Sequence, residues 1–176
     1  IDQPHERQRM ETELSASFAA LDEVFDERSA RGARVVSRAL DGAWAEAFAM
    51  FDQGSVRFMR MATASLLAPL ARYQGNVALA WSLVHEGLPA GTDTAPEDTL
   101  GKILPLRTLA VMLALDAADH TAARRWLSAL DRWLEWSGSI LGRANAHLCW
   151  ASYHRALGEH EQARVRAVSA LATAGV

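Results

Sequence analysis

One pattern recurs four times along this chain of 176 residues and constrains its fold more than any other feature. In each occurrence a helix-like segment ends at a small residue, and a second helix-like segment follows with an alanine one turn inside it. The small residues are Gly42, Gly75, Ala118 and Gly158, and the alanines are Ala47, Ala80, Ala123 and Ala163. The small residues follow one another at steps of 33, 43 and 40 residues. Because steps of about 34 to 45 residues are typical of stacked helix pairs, the pattern predicts a repeated helix–turn–helix fold.

The four alanines indicate how the two helices of each pair pack. A small side chain where two helices cross lets their backbones approach closely, while larger residues fill the flanks. A single pair cannot bury both of its faces, so neighbouring pairs must stack on one another. We therefore predict an all-α fold, and specifically a right-handed α-solenoid of stacked antiparallel helix pairs. On this basis Ala163→Leu is predicted to overpack its helix pair at a cost of about 1–3 kcal/mol.

Helical periodicity divides the chain into a leading helix and four helix pairs within a single domain of residues 1–176. Apolar residues recur at three- and four-residue spacing through residues 1–27, which is the pattern of an amphipathic helix. The predicted pairs cover residues 28–54, 55–88, 96–136 and 138–174. Pro69 and Pro105 fall inside predicted helices and are expected to kink or split them, because proline lacks the amide donor.

Composition favours a folded protein that works in a reducing compartment. Half of the residues are hydrophobic and 22% are charged, which excludes a disordered chain. Cys149 is the only cysteine, so the chain has no disulfide framework and no cysteine-cluster metal site, and a cytoplasmic setting is expected. No apolar run approaches the length of a membrane-spanning helix. The chain begins at Ile1 rather than at a methionine, which suggests a piece of a longer protein.

The formal net charge of −3 predicts that this segment does not bind duplex DNA by itself. Neutralisation of phosphates by lysine and arginine supplies most of the non-specific affinity for DNA, and an acidic chain does not provide it. A fluorescence-anisotropy titration with a random-sequence duplex is expected to show no binding at micromolar protein concentrations. Salt-sensitive binding in that range would contradict this prediction.

Residues of the four units resemble the tetratricopeptide repeat over about residues 28–174. The matching residues are Gly42, Trp44, Glu46, Ala47, Phe51, Gly75, Ala80, Asp119, Ala123, Leu127, Gly158, Glu159, Ala163 and Ala170. The match is closer in the second helix of each pair than in the first. More narrowly, the runs 122–134 and 148–158 resemble the repeat domain of large LuxR-family, MalT-like transcriptional regulators.

That resemblance implies a function in signal sensing. In these regulators the repeat domain lies between a nucleotide-hydrolysing module and a C-terminal helix-turn-helix, and it senses an inducer or a partner protein. We therefore expect the sensor and protein-interaction domain of a cytoplasmic bacterial transcriptional regulator, with neither a membrane nor a direct nucleic-acid contact. A homo-oligomer is left open. So is the alternative of a stand-alone scaffold protein that mediates protein–protein interactions outside transcription.

The resemblance also indicates where a ligand binds, because the concave face of such repeats is lined by the first helices of the pairs. The residues predicted on that face are Ser65, Arg72, Tyr73, Thr108, Met112, Asp116, Asn145, Ser152 and Arg155. Arg72 and Arg155 each precede a turn glycine by three residues, so they either converge on an acidic ligand or stabilise helix C-termini. The predicted binding residues are Arg72, Tyr73, Asn145 and Arg155. Arg124 is predicted to lie on the opposite, convex face.

The sequence offers little to support catalysis, a cofactor or a metal. His147, Cys149, His154 and His160 carry side chains that can bind zinc. However, His147 and His154 lie two helical turns apart, about 10 Å along the axis, which is too far for one metal ion. Packing and solvent exposure are therefore the preferred interpretation of this cluster. The chain has no glycine-rich phosphate loop followed by lysine and no Gly-x-Ser-x-Gly motif. We expect no enzyme, no cofactor and no metal site.

Overall fold

The computed structural model describes residues 9, 12–13, 27–52, 57–95 and 100–175. Within these residues the chain forms eight helices and one short 3-10 turn, Gly91–Asp93, and contains no strand. The helices are α1 Glu27–Leu40, α2 Trp44–Asp52, α3 Arg57–Tyr73, α4 Val77–Gly87, α5 Leu100–Asp116, α6 His120–Ser137, α7 Arg143–Ala156 and α8 His160–Ala174. The prediction of an all-α fold is confirmed. Most of the predicted leading helix, 1–27, lies outside the described residues.

The four small residues of the repeating pattern close four turns with the same hydrogen bonds. At the end of α3, the amide of Asn76 donates to the carbonyl of Ala71 over 2.8 Å, and the amide of Gly75 donates to Arg72 over 2.9 Å. Equivalent pairs of bonds close α1, α5 and α7. The residue at the Gly75 position has a positive φ in every turn. This is the Schellman motif, in which a left-handed residue lets the last carbonyls of a helix find donors.

Ala118 is the one member of the four that is not glycine, and it is strained. Its φ is +53°, which makes it the single non-glycine residue with positive φ in the described part of the chain. A left-handed conformation costs an L-residue with a Cβ about 1–2 kcal/mol, whereas glycine adopts it freely.

We expect Ala118→Gly to stabilise the protein by about 0.5–1 kcal/mol, because relief of the strain exceeds the added entropy of glycine in the unfolded chain. Thermal unfolding checks this, and Ala117→Gly in the same turn, which relieves no left-handed residue, is the control. A lower melting temperature for Ala118→Gly would contradict the expected sign.

The alanine positions of the pattern pack closely in three of the four pairs. Ala47, Ala80 and Ala123 are fully buried, with exposures of 0%. Ala163 is only half-buried. The difference follows from position, because α2, α4 and α6 also contact the first helix of the following pair, whereas no described helix follows α8. A larger side chain at position 163 therefore has more space than the repeating pattern predicts.

The helices pack in the order that stacked pairs require. The two helices of each pair contact each other, and the first helices contact one another in sequence, α1 with α3, α3 with α5 and α5 with α7. Buried apolar side chains form one continuous cluster through this row, from Val35 in α1 to Tyr153 in α7. The hand and the curvature of the stack remain predictions.

Pro69 and Pro105 lie inside α3 and α5, and neither proline splits its helix. A proline removes one backbone hydrogen bond from a helix interior. Next to the prolines, Leu67, Ala68 and Leu106 are fully buried, so tertiary packing helps to keep each helix continuous despite the missing bond. The prolines were expected to kink or split these helices, and neither helix is split.

Candidate ligand-binding cleft

Arg72, the first of the four predicted binding residues, is already paired within the chain. Its Nε donates to Oδ2 of Asp116 over 2.6 Å, and its Nη2 donates to Oδ1 of the same residue over 2.9 Å. This two-point pairing occupies one edge of the guanidinium. The bond joins the ends of α3 and α5, and it lowers the pKa of the Asp116 carboxyl and raises the pKa of Arg72. An acidic ligand at Arg72 must compete with Asp116.

The Arg72–Asp116 pair is expected to stabilise the fold in a pH-dependent way. Because the carboxyl has a lowered pKa in the folded state, its contribution is present at neutral pH and is lost as the pH falls through that lowered value. Both side chains are partly exposed, so Arg72→Ala should cost only about 0.5–1 kcal/mol at pH 7. Urea unfolding at pH 7 and pH 2.5 measures the difference in unfolding free energy between the variant and the parent, which should be smaller at the lower pH. An equal loss at both values would show that packing of the arginine stem, rather than its charge, matters.

The other three predicted residues are exposed but do not meet at one point. Tyr73 is 76% exposed, and the Cζ atom of Arg72 lies 5.8 Å from its ring centroid. Asn145 lies in the first turn of α7 and Arg155 in the last. Ten residues of helix separate them, about 15 Å along the axis. Only an elongated partner could contact both Asn145 and Arg155.

A polar cleft of about 680 Å³ runs along α6, away from the four predicted residues. It is lined by Thr92, Asp93, His120, Thr121, Arg124, Arg125, Ser128, Arg132 and Tyr153. Six of these side chains belong to α6, two belong to the 3-10 turn and Tyr153 belongs to α7. Thr121, Arg125, Ser128 and Arg132 follow at spacings of four, three and four residues, so they form one stripe along the helix.

Positive charge dominates the lining of this cleft. Arg124, Arg125 and Arg132 are exposed, and Asp93 is the one carboxylate among the lining residues. Arg125 and Arg132 lie seven residues apart, which places their Cα atoms about 10 Å apart along the helix. At the start of α6, the Asp119 carboxylate caps the amide of Ala122 over 2.8 Å. Guanidinium groups, rather than the helix terminus, are therefore the main source of positive charge at that end.

Two arginines hold the backbone segment that lines the cleft beside Arg132. Nη2 of Arg132 donates to the carbonyl of Thr92 over 2.9 Å. Behind it, Arg107 of α5 donates from Nη2 to the carbonyl of Thr94 over 2.8 Å and from Nη1 to Ala129 over 3.4 Å. These bonds tie the segment around the 3-10 turn to α5 and α6.

Arg107 is a buried cation without an acidic partner in the described part of the chain. Only 1% of the residue is exposed, and its Nε has no hydrogen-bond partner. Burial lowers the pKa of Arg107, and the charge of Arg132 lowers it further. The two guanidiniums are therefore close enough to repel each other, and together they make the Thr92 end of the cleft positive.

The cleft along α6 was not predicted from the sequence. Arg124 was predicted to lie on the convex face, opposite the predicted binding residues, and it lines this cleft. The available signal was the spacing of Thr121, Arg125, Ser128 and Arg132 within one predicted helix. That spacing places hydroxyl and guanidinium groups on a single face of the helix. It does not reveal that residues of α7 and of the 3-10 turn complete the lining of the cleft.

A smaller cavity, about 200 Å³, lies where α6, α7 and α8 meet. Trp150 donates from Nε1 to Oδ2 of Asp131 over 2.9 Å, and the Cζ atom of Arg166 lies 5.4 Å from the centroid of the Trp150 ring. Burial raises the pKa of Asp131, while the hydrogen bond from Trp150 and the charge of Arg166 act in the opposite direction. These contacts connect the last three helices, and we assign the cluster a structural role.

His154 and Cys149 of α7 lie in different environments. Nδ1 of His154 lies 2.6 Å from Oε2 of Glu159, and its ring stacks on Trp150 with centroids 5.7 Å apart. Cys149 is buried, and burial raises the pKa of its thiol to about 12. The thiol therefore stays protonated at neutral pH and is a poor nucleophile. The residues that the structure describes contain no group of three side chains placed to hold a metal ion.

Comparisons with known proteins do not assign this chain to a family. No protein-family model, no curated protein and no solved structure matches it. Among the described helices, none is both long and apolar enough to cross a membrane.

Proposed function

We propose that this segment is the sensor and protein-interaction domain of a cytoplasmic bacterial transcriptional regulator, and that it binds an inducer or a partner protein. The observation that carries the proposal is the repetition of one structural unit. Four identical hydrogen-bonded turns join successive helix pairs, and the first helices pack in sequence. Such tetratricopeptide-like stacks present one extended surface to a ligand, since side chains from several units face the same side.

The proposed right-handed stack offers two surfaces for a ligand. One is the predicted concave face, to which we assign Tyr73, Asn145 and Arg155, three exposed residues at the ends of first helices. The other is the cleft along α6. The proposal assigns no reaction to either surface, since a binding function is enough to account for the exposed polar groups on both.

The regulator assignment is tested on the whole protein. The reading frame that contains this segment is expected to encode a nucleotide-hydrolysing module before it and a helix-turn-helix after it. Immunoprecipitation of the full-length protein, followed by sequencing of the bound DNA, should then recover a small set of promoter regions. A frame that lacks both modules, with no promoter enriched, would contradict the assignment.

The alternative is a stand-alone scaffold outside transcription. The same stack of helix pairs supports it, because such stacks hold protein partners as readily as inducers. In that case the immunoprecipitate should contain a reproducible protein complex and no enriched DNA.

A further inference from the structure

We propose that the cleft along α6 binds a small molecule that carries a phosphate, or a comparable anion, at each of its two ends and hydroxyl groups between them. The inference rests on the proposed sensing function and deepens it, because it gives the chemical class of the inducer. It depends on the size of the cleft, on the positions of its charges and on the hydroxyl groups of Thr121 and Ser128 beside those charges.

The size and shape of the cleft favour a compact ligand over a polymer. Its volume of about 680 Å³ lies within the range of about 300–1,000 Å³ that small-molecule sites occupy. The 3-10 turn lines the cleft beside Arg132, whose Nη2 donates to the carbonyl of Thr92. A small molecule of matching size can contact this turn and the stripe on α6 at the same time.

The positive charges lie at two positions along the cleft. Arg124 and Arg125 stand near the start of α6, and Arg132 stands about 10 Å further along the axis. Buried Arg107 adds its charge at the Arg132 end. A guanidinium offers paired N–H donors whose geometry matches two oxygens of a phosphate. Two such positions therefore match a molecule with an anionic group at each end better than a molecule with one charge.

One neutral polar group lies between the two charged positions, and a second lies beside the first of them. Ser128 is placed between Arg125 and Arg132 on the same stripe, and Thr121 precedes Arg125 by one turn. Their hydroxyls can both donate and accept hydrogen bonds. These groups suit the hydroxyls of a sugar or polyol that connects two phosphates.

Asp93 places a negative charge in the cleft, and removing that charge provides a test of anion binding. It is the carboxylate beside Thr92 in the lining, and it opposes the approach of an anion to that end. Removal of this charge should tighten the binding of a doubly anionic ligand. A gain in affinity cannot be explained by damage to the fold, so Asp93→Asn complements the arginine variants.

The experiment is isothermal titration calorimetry of the 176-residue chain with fructose 1,6-bisphosphate, fructose 6-phosphate, fructose and inorganic phosphate as probes. The bisphosphate should bind at least tenfold more tightly than the monophosphate or phosphate alone, and fructose should not bind. Arg125→Ala and Arg132→Ala should each weaken the bisphosphate about tenfold, since each removes a charge-assisted contact. Asp93→Asn should tighten it about threefold. Arg164→Ala removes an exposed arginine of α8 that is paired with Glu161, and it should leave the affinity unchanged within twofold.

Other outcomes overturn the inference without deciding the proposed function. Equal affinity for bisphosphate and phosphate would contradict a site with two anion-binding positions. So would a bisphosphate affinity that the arginine substitutions leave unchanged. If an acidic peptide or a single-stranded oligonucleotide binds more tightly and displaces the bisphosphate, the ligand of the cleft is a polymer and not a small molecule. If the Asn145→Ala/Arg155→Ala double variant loses binding and Arg125→Ala does not, the ligand binds at the predicted concave face and not in the cleft. Absence of binding to every probe would exclude this ligand class, while the reading frame and the immunoprecipitation still decide whether the protein is a regulator.

Discussion

Replacing Arg107 with alanine is expected to lower the free energy of unfolding by about 3 kcal/mol. The residue is 1% exposed, so the substitution leaves a cavity between α5 and α6. It also removes the donors that reach the carbonyls of Thr94 and Ala129. The partly buried carbonyl of Thr94 then loses a donor, which costs part of the desolvation free energy of that group. These two losses are expected to outweigh the gain from removing a buried cation that has no acidic partner in the described part of the chain.

A second substitution separates the free energy lost with the side-chain volume from the free energy lost with the hydrogen bonds. Arg107→Met keeps most of the volume but, like alanine, it lacks the donors and removes the buried cation. It should therefore destabilise the protein less than alanine does. Urea unfolding followed by circular dichroism measures both variants. An Arg107→Ala variant within 0.5 kcal/mol of the parent would show that the guanidinium does not hold the segment around Thr94 to the helices.

Ala123→Leu is expected to destabilise the protein by about 2–3 kcal/mol, at the upper end of the usual cost of overpacking. Ala123 is fully buried one turn inside α6, where that helix packs against α5. Three additional carbon atoms have no space there, so the two helices must move apart or neighbouring side chains must leave their preferred rotamers.

The matched control is Ala163→Leu, at the same position of the last pair. The repeating pattern alone predicted about 1–3 kcal/mol for this change, but Ala163 is half-buried. We now expect less than half of the effect at Ala123. Thermal and urea unfolding of the two variants provide the comparison. Equal losses would mean that the last pair is as tightly enclosed as the third, and no loss at Ala123 would contradict close approach of α5 and α6.

The all-α fold and its turns could be predicted from the sequence because they depend on neighbouring residues. A Schellman turn uses hydrogen bonds between residues no more than five apart, and its left-handed position favours glycine. Gly42, Gly75 and Gly158 therefore marked three turns directly. Ala118 was found only through the repeat, since alanine has no preference for that conformation.

Other features could not be predicted, because they join residues that are distant in the chain. Arg72 meets Asp116 across 44 residues, and Arg132 meets Thr92 across 40. Whether such groups meet depends on the offset and the angle between packed helices, which no local pattern specifies. As a result, one predicted ligand contact is an internal ion pair, while Arg124 lines a cleft.

Local sequence patterns were therefore sufficient to predict the helical segments and the chain reversals, because both depend on short-range hydrogen bonds and side-chain size. The packing of the helices sets which arginines are buried, which are paired and which are exposed in the cleft along α6. The physical reason is that the environment of a charged side chain is set by the helices packed around it, and those helices come from distant parts of the chain.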